Sequence, residues 1–291
     1  MVGMTKKKTA FWIAVFLLPN LIGFLTFIVF PLLSSLAISF TNWDLISTME
    51  FVGIDNYKQL MADKEFWAAF AHTITFIIGY LPLVMIFGLA CALLLNRKVK
   101  LRAFFRAAYF LPVVTSWVAV SLVWKWLFNP SYGLINYFLS FVGIEGLNWL
   151  QDESLAMPAI IITSVWKDIG FVMVLFLGGL QNISTSYYEA ADIDGANSWK
   201  KFWNITLPLL TPTTFFVTII SLINSFQVFD QVMIMTEGGP GGATNVLVQN
   251  IYNHAFRYFE MGYASAMSWI LFIVIFVITL IQMKMQKRWA D

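Results

Sequence analysis

The chain has 291 residues, 59% of them hydrophobic and only 12% charged, with a mean hydropathy of +0.74. Soluble domains carry roughly 25% charged residues, so the polar side chains are too few to coat a water-soluble globule, and the apolar mass excludes a disordered chain. A soluble enzyme and a nucleic-acid binder both fit poorly; a lipid-embedded protein fits well.

In chain order, six stretches are long and apolar enough for a helix to cross about 30 Å of hydrocarbon. They predict spans at about 11–39, 70–95, 105–128, 156–180, 209–234 and 263–283 of an all-α polytopic membrane protein. The runs are too long and too continuous for a closed β-barrel, whose strands alternate over about ten residues. The first run follows Lys6-Lys7-Lys8 as a secretory leader would. It is longer than a leader's apolar core, and Pro19 and Pro31 should kink it, so it reads as a retained span. In the second, Pro82 can bend the helix, while Gly88 and Ala90 to Ala92 permit close packing. Its Cys91, the single cysteine, excludes an intrachain disulfide and reads as a small apolar side chain. Pro112, Pro158 and Pro212 are read as opening their spans, where a missing amide donor costs little.

The charges supply the sidedness. Lys6 to Lys8, Arg97, Lys98, Lys100, Arg102, Arg106, Lys200, Lys201, Lys284, Lys287 and Arg288 place thirteen of the 18 basic residues on one set of flanks. The acids Asp44, Glu50, Asp55, Asp63, Glu65, Glu145, Asp152, Glu153, Glu237 and Glu260 gather on the other. The positive-inside rule then makes both termini cytoplasmic. Trp43, Trp67, Trp124, Trp126, Trp149 and Tyr258 fall where outer interfacial anchors belong, and Trp289 follows the last span.

The cytoplasmic segment 181–207 is longer than a connector requires. Ser184 or Ser186 can cap a first short helix, Ser186 to Glu189 has capping-box spacing, Gly195 can take a positive φ, and Ser198 can begin a second helix. The small Ala190 and Ala191 and the acid Glu189 suit insertion into a groove on a partner; a helical hairpin lying on the membrane surface is the plainer alternative.

Span five carries Ser221, Asn224, Gln227, Asp230 and Gln231. On a continuous helix Asn224, Gln227 and Gln231 share one face. Their amides can meet the hydroxyls of a solute or bond neighbouring helices. Phe226 and Phe229 offer stacking or packing surface, and Asp230 reads as a gate or loop charge. In span four, Trp166 and Lys167 border the same prospective route; adjacent residues share no helical face, so Lys167 and Asp168 each need another helix or water, and structural pairing competes with a direct solute contact. His72 and His254 show no metal spacing. No catalytic triad, acid pair or phosphate-loop Lys-Ser/Thr is present; Gly238-Gly239-Pro240-Gly241-Gly242 lacks the latter and reads as an outer loop or gate.

Glu189-Ala190-Ala191 with Asp194-Gly195-Ala196 and Ile205-x-Leu207-Pro208 resembles the EAA loop of ABC importer permeases. Met235-Thr236-Glu237-Gly238-Gly239-Pro240, with Trp166-Lys167, Gly170-Phe171 and Leu180-Gln181, resembles the carbohydrate subfamily of maltose-type and glycerol-phosphate-type permeases. The resemblance extends over nearly all six spans. It implies a type I ABC importer transmembrane domain in a bacterial or archaeal cytoplasmic membrane, without ATPase activity of its own. It further implies a second homologous permease subunit, two cytoplasmic ATPase subunits carrying ATP and magnesium, an extracytoplasmic solute-binding protein, and coupling through Glu189, Ala190, Ala191, Asp194, Gly195 and Ala196. A sugar or oligosaccharide is the expected solute, with glycerol-3-phosphate or a phosphodiester as a second reading. An ion-coupled secondary transporter is a third, and it leaves the EAA loop unexplained. The large outer domain of the largest maltose-type member is missing, so that member's substrate does not transfer.

Overall fold

The structure, a computed structural model, describes residues 6–97, 100–144 and 146–290, without the side chains of 6, 7, 9, 10 and 286–290. Lys98 and Glu145, counted above among the flanking charges, lie outside the described residues. The described chain is helical apart from loops, with one isolated bridge between Thr41 and Phe51.

We label the helices as follows. α1 joins Lys6–Phe24, a π-helical turn at Leu25–Val29 and Phe30–Ile38; α2 is Asp55–Ala62 and α3 Lys64–Asn96. α4 is Arg102–Val114, α5 Trp117–Leu127, α6 Leu134–Ser140, α7 Glu153–Gln181 and α8 Thr185–Ile193. α9 is Ser198–Leu209, with a π-helical turn at Phe202–Thr206, α10 is Thr211–Phe226 and α11 Asp230–Met235. α12 is Leu247–Tyr252 and α13 Met261–Ala290.

Four helices are long and apolar enough to cross a membrane unaided: α1 over Phe11–Ile38, α3, α7, and α13 over Met261–Met285. Two bent pairs qualify only together, α4 with α5 at 99° and α9 with α10 at 64°. Spans three and five are therefore broken rather than the straight helices the hydropathy suggested. The α4–α5 corner has a local cause. Pro112 sits near the end of α4, not at the opening of its span, and cannot donate to the preceding turn. Thr115 is extended, and Ser116 starts a new helix by accepting from the Val118 amide at 3.3 Å. The expected kink in span one takes another form: the π-helical turn ends two residues before Pro31 and lets the helix continue. The same device precedes Pro208.

Two compact units divide the chain, Met1–Asp63 with Ile251–Ile270, and Lys64–Asn250 with Leu271–Asp291. In the first, the buried Asn56 amide donates to the carbonyls of Ser39 (2.9 Å) and Thr41 (2.8 Å) and so satisfies the exit of α1. Gly262 lies against the Thr41 carbonyl, where a Cβ would collide with backbone, and Tyr263 donates to Asp63 at 2.6 Å.

In the second unit α3 and α7 pack side by side. A side chain at Gly79 would meet Ile161, and one at Gly88 would meet Val172. Contacts thus advance together along both helices, so α3 and α7 run in the same direction. The small residues admit the close approach that membrane helices need in place of a hydrophobic drive. Two parallel spans require one crossing between them, and α4–α5 supplies it. Arg102 and Arg106 of α4 reach Gln181 at the end of α7, Tyr109 meets Gly170, Trp124 of α5 meets Trp166, and Phe128 beyond it packs on Trp149. The α9–α10 pair returns likewise: Thr213 faces Gly179, Gln231 bonds Ser164, and Gly241 abuts Glu153.

Candidate functional site: a polar cavity at mid-membrane depth

The second feature of span five that hydropathy hid is a break at 227–229, between α10 and α11, where Phe229 has φ −150° and ψ −61°. Irregular backbone at membrane depth persists only where protein or a cavity surrounds it. Here it borders a cavity of about 280 Å³ lined by Phe76, Tyr80, Trp117, Asp168, Asn224 and Ser225, and by Gln227 to Gln231. The depth follows from the helices: Tyr80 is the middle residue of α3, and Asp168 is one residue past the middle of α7.

The residues singled out from sequence divide into two groups. Asn224, Gln227 and Asp230 are exposed into the cavity, Phe229 is half-buried beside them, and Gln231 is buried, donating to Ser164 Oγ at 3.1 Å. Asn224, Gln227 and Gln231 do not share the face of one helix, because the break intervenes; the fold around the break brings them together. The others are elsewhere. Ser221 and Phe226 are buried in packing, and the Ser221 carbonyl accepts from Ser225 Oγ at 2.6 Å. Trp166 turns to Trp124, ring centroids 5.5 Å apart. Lys167 donates to the Val113 carbonyl at 3.1 Å and lies 4.6 Å above the Trp117 ring. That carbonyl is one of those left without a helical partner where α4 ends, so Lys167 caps the corner electrostatically.

Four residues of the lining, Phe76, Tyr80, Trp117 and Val228, were not singled out from sequence. Asp168 accepts from the Tyr80 hydroxyl at 2.8 Å, across α7 and α3. A carboxylate inside a span is by itself a pointer to function, so Asp168 carried a signal. Tyr80 read as one aromatic among many.

The 181–207 segment forms a projection. Ser184 is the N-cap of α8, and its hydroxyl accepts from the Ser186 amide; Ser186 lies inside the helix, so the Ser186–Glu189 capping box does not form. Gly195 takes φ +70°, Asn197 caps α9 by accepting from the Lys200 amide at 2.9 Å, and Ser198 is the first residue of that helix. The arms are joined by a Lys201–Asp192 ion pair and a Tyr188–Thr206 hydroxyl contact at 3.0 Å. Glu189, Ala190, Asp194 and Gly195 are exposed, Ala191 and Ala196 half-buried, and Ile193 and Trp199 are 88% and 68% exposed.

Facing the other end of α7, the Gly238-Gly239-Pro240 loop is closed by Thr244, which donates to the Gly239 carbonyl at 2.5 Å and contacts the Thr236 hydroxyl at 2.7 Å. The Glu153 carboxylate fills the space beside Gly241, an unfavourable neighbour for a phosphate.

A helical membrane protein with a mid-depth polar cavity at a broken span, and an exposed helix–turn–helix at one end, belongs to the solute-translocating class. The chain is a member of the family of binding-protein-dependent transport system inner membrane components, whose family model matches residues 84–291. It is 39% identical to the probable ABC transporter permease protein YesP of Bacillus subtilis, over 94% of this chain and 90% of that one. It is 37% identical to the multiple sugar-binding transport system permease protein MsmF of Streptococcus mutans, over 98% and 99%. The fold is that of type I ABC importer transmembrane domains. It superposes with a TM-score of 0.86 on a chain of a bacterial alginate ABC transporter in complex with an alginate-pentasaccharide-bound periplasmic protein. That chain is 25% identical, and the match covers 97% of this chain and 96% of that one.

Proposed function

We propose that this chain is one of two permease subunits of an ATP-driven, binding-protein-dependent importer of a sugar or oligosaccharide, working by alternating access in a cytoplasmic membrane with both termini inside. The observation that carries the solute reading is the cavity. It presents amides of Asn224 and Gln227, carboxylates of Asp168 and Asp230, and aromatic rings of Phe229 and Trp117 at mid-depth. Amides and carboxylates accept or donate to several hydroxyls at once, and rings cover the apolar faces of a sugar. MsmF, similar along its whole length, is named for sugar transport.

The α8–α9 projection is the candidate coupling element. Exposed apolar side chains such as Ile193 and Trp199 beside Glu189 suit a protein partner better than water. In this reading two ATPase subunits bind ATP and magnesium, close, and move the projection. The bends above Leu210 and at Thr115 transmit that movement to the cavity walls. A solute-binding protein delivers ligand on the opposite side. This chain performs no covalent chemistry; it supplies the route and the conformational switch.

The test uses the reconstituted importer. Glu189→Lys reverses a charge at the projection and should lower solute uptake at least about tenfold, equivalent to 1.4 kcal/mol of coupling, while the complex still assembles in the membrane. Unchanged uptake in this variant sinks the coupling role of the projection.

A further inference from the structure

We propose that the mid-membrane cavity selects uncharged polyhydroxylated solutes and turns away acidic sugars and sugar phosphates, with Asp168, held by Tyr80, as the discriminating residue. The inference rests on the sugar reading above and narrows it to a charge class.

Asp168 and Asp230 are the ionisable acids of the lining, and no Lys, Arg or His lines the cavity among the described residues. The lysines on the helices that carry Asp168 and Trp117 each hold a backbone carbonyl. Lys167, next to Asp168 in sequence, is turned to the Val113 carbonyl and the Trp117 ring. Lys125 donates to the Ile234 carbonyl at 3.0 Å, at the end of α11. Each neutralises the negative end of a short helix rather than facing the route. An anionic solute entering the cavity would shed its water and meet no basic side chain in this lining to pair with, a costly condition for a buried ion. Whether or not Asp168 is ionised, it provides no positive charge; ionised, it repels the anion directly.

A neutral sugar meets the opposite situation. The Tyr80 hydroxyl occupies one oxygen of Asp168 at 2.8 Å and fixes its direction. The second oxygen, with the amides of Asn224 and Gln227, remains for solute hydroxyls, and Gln231 is already engaged with Ser164 and holds the wall. The glycerol-phosphate reading lacks a basic group in this lining. The alginate transporter shares the fold, and its cargo, an acidic polysaccharide, does not carry over to a cavity of this charge.

The experiment measures binding to the assembled importer, purified in detergent without its solute-binding protein, by titration calorimetry. The ligands are a panel of neutral mono- to trisaccharides, each paired with its uronate or phosphate counterpart. We expect the best neutral ligand to bind at least about tenfold tighter than its acidic counterpart. Asp168→Asn should shrink that ratio, and Asp168→Lys should invert it. Tyr80→Phe, which frees the carboxylate from its tether, should weaken the neutral ligand while leaving the acidic one excluded. An acidic ligand binding the wild type as tightly as its neutral partner overturns this inference alone. A neutral preference that survives both Asp168 substitutions removes Asp168 as its source. If no member of the panel binds and none is taken up by the complete importer in vesicles, the sugar reading itself falls.

Discussion

Lys167 and Lys125 perform the same task at two places. Each sends its ammonium to a carbonyl near the end of a short helix, Val113 in α4 and Ile234 in α11. A cation is favoured there because the last carbonyls of a helix lack partners. Lys167→Met keeps the stem and removes the donor, so it should destabilise the protein by about 1–3 kcal/mol. Thermal unfolding in detergent reads the loss, and solute affinity should hardly move. The cavity amides should behave in the opposite way. Asn224→Ala and Gln227→Ala should weaken solute binding by about 0.5–1.5 kcal/mol each with an unfolding temperature near wild type. Gln231→Leu strips the buried Ser164 hydroxyl of its donor and should register mainly as lost stability. Sequence alone put all three amides in one group; burial and partners separate Gln231 from the other two.

Among the elements, α7 organises the second unit through its glycines. At Gly170 the nearest atoms to an added Cβ are backbone atoms of Tyr109 and Phe110, which cannot rotate away. Gly170→Val should therefore cost about 1–3 kcal/mol by overpacking and separate α4 from α7. At Gly79 the obstacle is an Ile161 side chain, which can change rotamer, so Gly79→Ala should be milder in the same thermal assay. The start of α7 gives a pH prediction. Asp152 accepts from the Ser154 hydroxyl and from the Ser154 amide, which hold its carboxyl below the ordinary value of 3.8. A lowered folded pKa means that the cap contributes fully above the unfolded value and loses its contribution as the pH falls through the folded one. Asp44, held to about 2 by the Ser47 and Ile46 amides and the Ser47 hydroxyl, follows the same rule. Amide exchange at Ser154 and Ser47 should thus accelerate, beyond its intrinsic pH dependence, only as the pH drops below about 4. In Asp152→Asn the Ser154 step should vanish.

For the whole molecule, direction matters more than length. Helix length and composition leave four to six crossings, because two of the six hydropathic spans are bent pairs. The parallel run of α3 and α7 requires α4–α5 to cross between them, and the contacts of α9–α10 along α7 carry the chain back across. That order fits the alternation of basic and acidic flanks. A cysteine introduced at Ser131, beyond α5, should be labelled by an impermeant maleimide from the side opposite to one introduced at Ser186. Labelling of both from one side would make α4–α5 a re-entrant loop.

The amino-acid sequence by itself determined that this chain lives in lipid, that it is all helical, where its apolar runs lie, and, through the Glu189 to Ala196 pattern, its family. These properties are written in composition and in local spacing. The turn at Gly195 was legible for the same reason, since a positive φ is a local demand. Only the tertiary structure decided that spans three and five break, that Lys167 faces a carbonyl rather than the route, and that Tyr80 and Asp168 meet. Each depends on which residue of another helix stands opposite, and a polar group in a membrane is committed by whichever partner arrives there. The charge of the cavity is such a decision: its acids were visible from the start, but that no basic side chain lines it among the described residues came from where the lysines turned.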